Sequence, residues 1–237
     1  MSEPDAVPEP APAPPAAPSV VVAVDGTSGS GKSSTCRGVA QRLGLRYLDT
    51  GAQFRAVTWW MLEHGIDVHD AAAVAAHADR PVIVSGTDPG SPTITVDDVD
   101  VAGPIRGDAV TAAVSPVSTV PQVRARLLEL QRAIIGTGGI VVEGRDIGSV
   151  VWPHAQVKVY LTADPAARAA RRAAEVGAAD LGATEASLRE RDRIDSGRAT
   201  APLRRPDGAV ELDTTHLSLD QAIEQVVGWV RDARALM

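Results

Sequence analysis

Ser19-Val20-Val21-Val22-Ala23-Val24-Asp25-Gly26-Thr27-Ser28-Gly29-Ser30-Gly31-Lys32-Ser33 is the stretch whose reading decides the fold. Val20 to Val24 form a short unbroken apolar run, the mark of a strand buried on both faces. Gly26 to Ser33 satisfies G-x-x-x-x-G-K-[ST], and a helical stretch follows from about Lys32 to Leu43. Strand, glycine-rich turn and helix are the context this pattern requires. Glycines let the backbone reach positive φ and come close to phosphate oxygens. Consecutive amide N–H groups and a helix N-terminus present partial positive charge to an anion. Lys32 adds a mobile full charge for the β- and γ-phosphates of a nucleotide, and the Ser33 hydroxyl is a ligand for Mg²⁺. Gly26, Thr27, Ser28, Gly29, Ser30, Gly31, Lys32, Ser33 and Ser34 are the expected triphosphate contacts.

Outward from this turn, strands and helices alternate. Leu45–Leu48 reads as a second short strand, and Gly51 to about His64 as a helix. Asp70-Ala71 opens an alanine-rich helix to about Asp79. Pro81–Ser85 and Thr93–Val101 alternate in polarity around the turn Gly86-Thr87-Asp88-Pro89-Gly90, the sign of a small antiparallel patch. Helices follow over about Gly107–Ser115 and Pro121–Ile135. Ile140–Glu143 and Val157–Leu161 read as buried strands, Pro165–Val176 and Thr184–Ser196 as helices. Val210–Asp213 is a last strand, and Ser218–Leu236 a terminal helix. The order is that of an α/β doubly wound parallel sheet with one β-containing excursion near 65–105.

The 237 residues suffice for one α/β domain with an insertion. Twenty-three basic residues against 30 acidic ones give a net charge of −7, which argues against a general nucleic-acid or membrane binder. A single cysteine, Cys36, excludes an internal disulfide framework and any zinc site of several cysteines. Nothing is long and apolar enough to span a bilayer, and no secretory signal is recognisable, so a cytoplasmic location is expected. Residues 1–18 hold seven of the 17 prolines and read as a disordered tail. The chain has no asparagine, so the Asn-Lys-x-Asp guanine reader of a GTPase is impossible; a mechanical ATPase usually needs a longer chain. A small-molecule kinase leads; other acceptors such as UMP or a sugar acid, and a nucleotide-gated interaction protein, stand as alternatives.

A kinase that moves a phosphoryl group onto another phosphate faces crowded negative charge, and its catalysis is mostly positioning and charge neutralisation. Arginines from separate parts of the chain are therefore expected to converge, since the guanidinium fork binds phosphate bidentately and stays charged. Asp49-Thr50-Gly51-Ala52-Gln53-Phe54-Arg55 ends the second strand and opens a helix, with Thr50 placed to cap it and Arg55 one turn in. Glu143-Gly144-Arg145-Asp146 ends another core strand, and strand carboxyl ends are where such sheets bind ligands. Arg191, Asp195 and Arg198 are spaced i, i+4, i+7 and share one face if the helix holds, the arrangement of a lid that closes over phosphates and excludes water.

Together the phosphate turn, DTGAQFR at 49–55, EGRDIG at 143–148 and RDRIDSGRATAPL at 191–203 resemble the bacterial cytidylate kinase family of nucleoside monophosphate kinases. The resemblance implies a parallel five-stranded core over 19–64 and 106–237, a lid at about 180–200, and an inserted part of the monophosphate-binding domain at 65–105. It implies transfer of the ATP γ-phosphoryl group to CMP or dCMP with Mg²⁺, and a monomer is expected. It assigns catalysis to Lys32, Arg145, Arg191 and Arg198, and acceptor phosphate binding to Arg55, Arg145 and Arg198, beside Thr50. It assigns the sugar hydroxyls to Arg191 and Asp195, and the cytosine to Ser115, Arg124 and Asp146. Asp146 suits the exocyclic amine of cytosine; uracil would present an acceptor to an acceptor. Thr27 stands where the family commonly has proline, and Phe54 where it commonly has tyrosine. The five histidines show no metal-ligand spacing, Cys36 and Trp59-Trp60 read as packing residues, and Asp25 is placed either to orient the magnesium shell or to cap the turn.

Overall fold

The apolar run forms β1 (Val21–Gly26), and all six residues are buried. The computed structural model describes residues 19–237; the tail expected to be disordered, 1–18, lies outside the described residues. β1 is the centre of a five-stranded sheet of order β2-β6-β1-β7-β8, with β2 Arg46–Asp49, β6 Ile140–Gly144, β7 Val157–Thr162 and β8 Val210–Asp213. Every pairing in it is parallel. Side chains alternate across a strand, so β1 serves two cores. Val22 and Val24 pack with Val39 and Ala40 of α1 (Lys32–Leu43) and with Ile223, Val226 and Val230 of α8 (Leu219–Ala235). Val21 and Ala23 pack on the other face with Ile135 of α5 (Pro121–Ile135), Val142, Ile147 and Val151. Helices on both faces are why β1 is apolar through Val24 and β6 through Val142. The expected doubly wound parallel sheet is what forms.

A third apolar cluster lies between β2 and α5 in the chain. It joins Ala56, Val57, Trp60 and Met61 of α2 (Thr50–Glu63) and Val74 of α3 (Ala71–Ala76) to a three-stranded antiparallel sheet. That sheet is β3 (Ile83–Ser85), β4 (Ile94–Val96) and β5 (Val99–Asp100). Ala113 and Val117 of α4 (Asp108–Thr119) and Val123 and Leu127 of α5 close the cluster. Segment 65–105 thus shares its core with helices on both sides of it. The remaining helices, α6 (Pro165–Val176) and α7 (Leu181–Gly197), pack on each other.

Several local expectations are corrected. Thr93–Val101 is a hairpin, not one extended segment: Asp97 and Asp98 sit at φ 49° and 65° between β4 and β5. Two successive positive φ values make a primed turn, which aspartate tolerates, and no glycine announces it. Asp97 also accepts from Val82 N and from Trp60 Nε1, each at 2.8 Å. α3 ends at Ala76, short of Asp79. α4 continues past Ser115 to Thr119 through Pro116, with the Ser118 hydroxyl donating to Ser115 O at 2.8 Å. Residues 147–151 form a π-helical turn that periodicity gave no sign of. Its first amides are held by Asp25, whose carboxylate accepts from Ile147 N at 2.6 Å and Gly148 N at 2.8 Å.

Candidate active site

The phosphate turn is shaped by its glycines. Gly26 has φ 151°, and a Cβ there would stand 2.0 Å from Leu161 O of the neighbouring strand. Gly31, at φ 87°, is the N-cap of α1, so the amides that follow it point out of the helix end. The Ser30 hydroxyl donates to Thr27 O at 2.9 Å, and Thr214 Oγ1 donates to Ser30 O at 3.0 Å. The turn opens onto a cleft of about 610 Å³ lined by Ser28, Gly29, Gly31, Lys32, Ser33 and Ser34 of this segment. Gly26, Thr27 and Ser30 stand behind that lining and shape it.

Lys32 is buried and donates from Nζ to Thr27 O at 2.6 Å. Burial first, and then the charge of Arg145, lower its pKa to about 7. Beside it Glu143, at the end of β6, is 3% exposed, and burial followed by the charge of Asp49 raises its pKa to about 7. The Tyr47 hydroxyl donates to Glu143, and the Ser33 side chain close by also favours the charged carboxylate. Asp25, fully buried, is raised to about 6 chiefly by desolvation, against the pull of its two amide donors. It anchors the π turn and holds Gly148 close, since a Cβ on Gly148 would lie 3.3 Å from Asp25 Oδ2.

The arginines expected to meet do meet. Arg55, Arg145, Arg191 and Arg198 all line this cleft, together with Thr50, Ser115, Asp146 and Asp195. They come from α2, the end of β6, α7 and the residue beyond it. α2 is capped by Asp49, not Thr50: Asp49 Oδ1 accepts from Ala52 N at 2.9 Å, while the Thr50 hydroxyl donates to Glu143 O at 2.7 Å. Arg55 donates to Ile105 O and Thr111 Oγ1, both at 3.0 Å. Arg145 donates from Nε to Asp195 Oδ2 at 3.0 Å and from Nη2 to Ser28 Oγ at 2.8 Å. Arg198 is the C-cap of α7 rather than part of its face, with extended backbone, and donates to Ala201 O at 2.9 Å. Arg124 does not line the cleft. It lies behind Asp146, pairing with Asp146 Oδ2 at 2.5 Å and with Ser118 O at 3.2 Å, its guanidinium 5.3 Å from the Phe54 ring centre.

α7 touches the phosphate turn directly. Asp192 Oδ1 accepts from Ser28 N at 2.9 Å and its other oxygen pairs with Arg168, which donates to Ser28 O at 3.0 Å. Asp192, Arg168, Tyr47 and Glu143 escape sequence reasoning, as does Arg172, which also lines the cleft. Only Glu143 leaves a sign, as an acid ending an otherwise apolar strand.

Charge fits these shapes to an anion. Lys32, Arg37, Arg55, Arg106, Arg145, Arg172, Arg191 and Arg198 face the cleft against Asp49, Glu143, Asp146, Glu175 and Asp195. The cleft is thus positive within a chain of net charge −7. Arg55 and Arg191 are both lowered to about 10, first by burial and next by Arg191 and Arg145 respectively. A bound phosphate relieves that crowding. Among the described residues no three or more His, Cys, Asp or Glu are gathered to hold a metal ion, and no helix is long and apolar enough to cross a membrane.

A five-stranded parallel sheet, a glycine turn with its lysine at a strand's carboxyl end, and converging arginines define a phosphotransferase of the P-loop kinase class. Residues 22–232 match the family model described as Cytidylate kinase. A protein named Cytidylate kinase from Streptomyces avermitilis is 57% identical over 92% of this chain and 95% of its own. One of the same name from Streptomyces coelicolor is 60% identical over 93% and 96%. This chain belongs to the cytidylate kinase family.

Proposed function

We propose that this protein transfers the γ-phosphoryl group of ATP, with Mg²⁺, to CMP and dCMP, forming CDP and dCDP, and that it works as a cytoplasmic monomer. One observation carries the reading: guanidinium groups from separate stretches of chain line a single cleft together with Lys32 and Asp146. Amides of the glycine turn and Lys32 hold the donor phosphates. Arg55, Arg145 and Arg198 hold the acceptor phosphate, and Arg191 and Asp195 the sugar. Charge develops where these groups already stand, so little reorganisation is needed at the moment of transfer. The attacking phosphate oxygen is itself anionic, and no side-chain base is called for. α7 with the residues up to about 200 acts as the lid, and segment 65–105 as part of the acceptor domain.

Asp146 reads the exocyclic amine of cytosine, with Ser115 in the cleft wall and Arg124 fixing the carboxylate from behind. A uracil carbonyl in that place would leave a buried acceptor unpaired, at a cost of about 1–3 kcal/mol. The Ser33 hydroxyl beside the Glu143 carboxylate is an all-oxygen setting that suits Mg²⁺; bound there, the ion would neutralise phosphate charge. In an ADP-release assay with CMP, Lys32→Ala and Arg198→Ala are expected to lower kcat by about 10²-fold or more in folded protein. Near-normal turnover in either removes the role given to that residue.

A further inference from the structure

Tyr47 is 2% exposed, yet it lies in the strand that borders the cleft, and its hydroxyl serves one purpose: it donates to the Glu143 carboxylate. A buried tyrosine hydroxyl needs a partner, and a phenylalanine would fill the same space without one. Burial and the neighbouring Glu143 charge push this phenol far above its ordinary range, so it stays a donor. Glu143 meets three groups that bear on the chemistry: it accepts from Tyr47, lies beside the Ser33 side chain and is within electrostatic reach of Lys32. Lys32 nevertheless forms no ion pair among the described residues; its ammonium goes to Thr27 O.

Resting on the proposed kinase reaction, we infer that Tyr47 is a positioning residue for phosphoryl transfer, clamping the Glu143 carboxylate against Ser33 and away from Lys32. A carboxylate freed from its clamp would turn to Lys32, which is buried beside it with its ammonium held by a backbone carbonyl alone. The resulting Lys32–Glu143 pair would hold the lysine back from the phosphates and leave the Ser33 hydroxyl unoriented. Tyr47 borders the cleft, but its hydroxyl bonds only Glu143, so loss of that hydroxyl is expected to alter the chemical step more than acceptor binding.

The test compares wild type, Tyr47→Phe, Glu143→Gln and the double variant for kcat, KM for CMP, CMP affinity by calorimetry without ATP, and thermal midpoint. Tyr47→Phe is expected to lower kcat about tenfold, with KM and CMP affinity within about twofold. In the double variant, Tyr47→Phe is expected to add little to Glu143→Gln, because one residue acts through the other. An unchanged kcat, an equal loss of CMP affinity, additive effects, or a Tyr47→Phe chain that fails to fold each overturn the inference. A wild-type protein that does not phosphorylate CMP overturns the kinase reading instead.

Discussion

At the scale of single residues, burial decides most of the behaviour. Asp146 and Arg124 pair at 2.5 Å with both side chains 8% exposed, so either is costly to lose alone. Asp146→Asn is expected to destabilise the chain by about 3–5 kcal/mol in urea unfolding and to narrow the preference for CMP over UMP. Stability that falls with an unchanged CMP:UMP ratio would reduce Asp146 to a structural partner. Asp25 offers a pH signature. Its carboxyl, raised to about 6, keeps a proton in the folded chain that the unfolded chain releases near pH 4. The stability this group contributes is greatest below about pH 4 and is lost as pH rises through about 6. Between about pH 4.5 and about pH 6.5, wild type is expected to lose more stability than Asp25→Asn, and equal losses would contradict the assignment.

At the scale of elements, α7, proposed above as the lid, is also a brace for the phosphate turn. Asp192→Ala removes the acceptor of the Ser28 amide and leaves Arg168 buried without its carboxylate. The expected result is a loss of about 3 kcal/mol or more in stability and weaker ATP binding by calorimetry; unchanged ATP affinity would leave Asp192 a brace for α6 alone. Elements with an uninterrupted apolar run or a marked start were legible in the sequence. β1 followed by its glycine turn, Pro121–Ile135 and Val210–Asp213 needed no tertiary information. The Asp97-Asp98 turn, the passage of α4 through Pro116 and the π turn at 147–151 were not legible. Each is stabilised by a partner distant in sequence or by a side-chain hydrogen bond: Trp60 and Val82 for Asp97, Ser118 for α4, Asp25 for the π turn. Arg55, Arg145, Arg191 and Arg198 were found because phosphate chemistry calls for arginines from separate stretches of chain, whereas Arg37, Arg106 and Arg172, which also line the cleft, were not. Tyr47, Glu143 and Asp192 were missed because their meaning lies in what they touch.

At the scale of the whole molecule, the family match begins at residue 22, after the proline-rich stretch 1–18. Removal of residues 1–18 is therefore expected to leave kcat and KM for CMP within about twofold; a large loss would give the tail a part in turnover. The sheet gathers the glycine turn, β2 and the end of β6 at one edge, and the packing of α4, α5 and α7 brings Ser115, Arg191, Asp195 and Arg198 to the same cleft. On the proposed reading, selection for cytosine rests on one carboxylate held by one buried arginine. The direct measurement is ADP release across CMP, dCMP, UMP and AMP under one set of conditions. CMP is expected to exceed UMP in kcat/KM by about tenfold or more, the equivalent of one buried unpaired acceptor; equal values for the two pyrimidines would contradict the account at its centre.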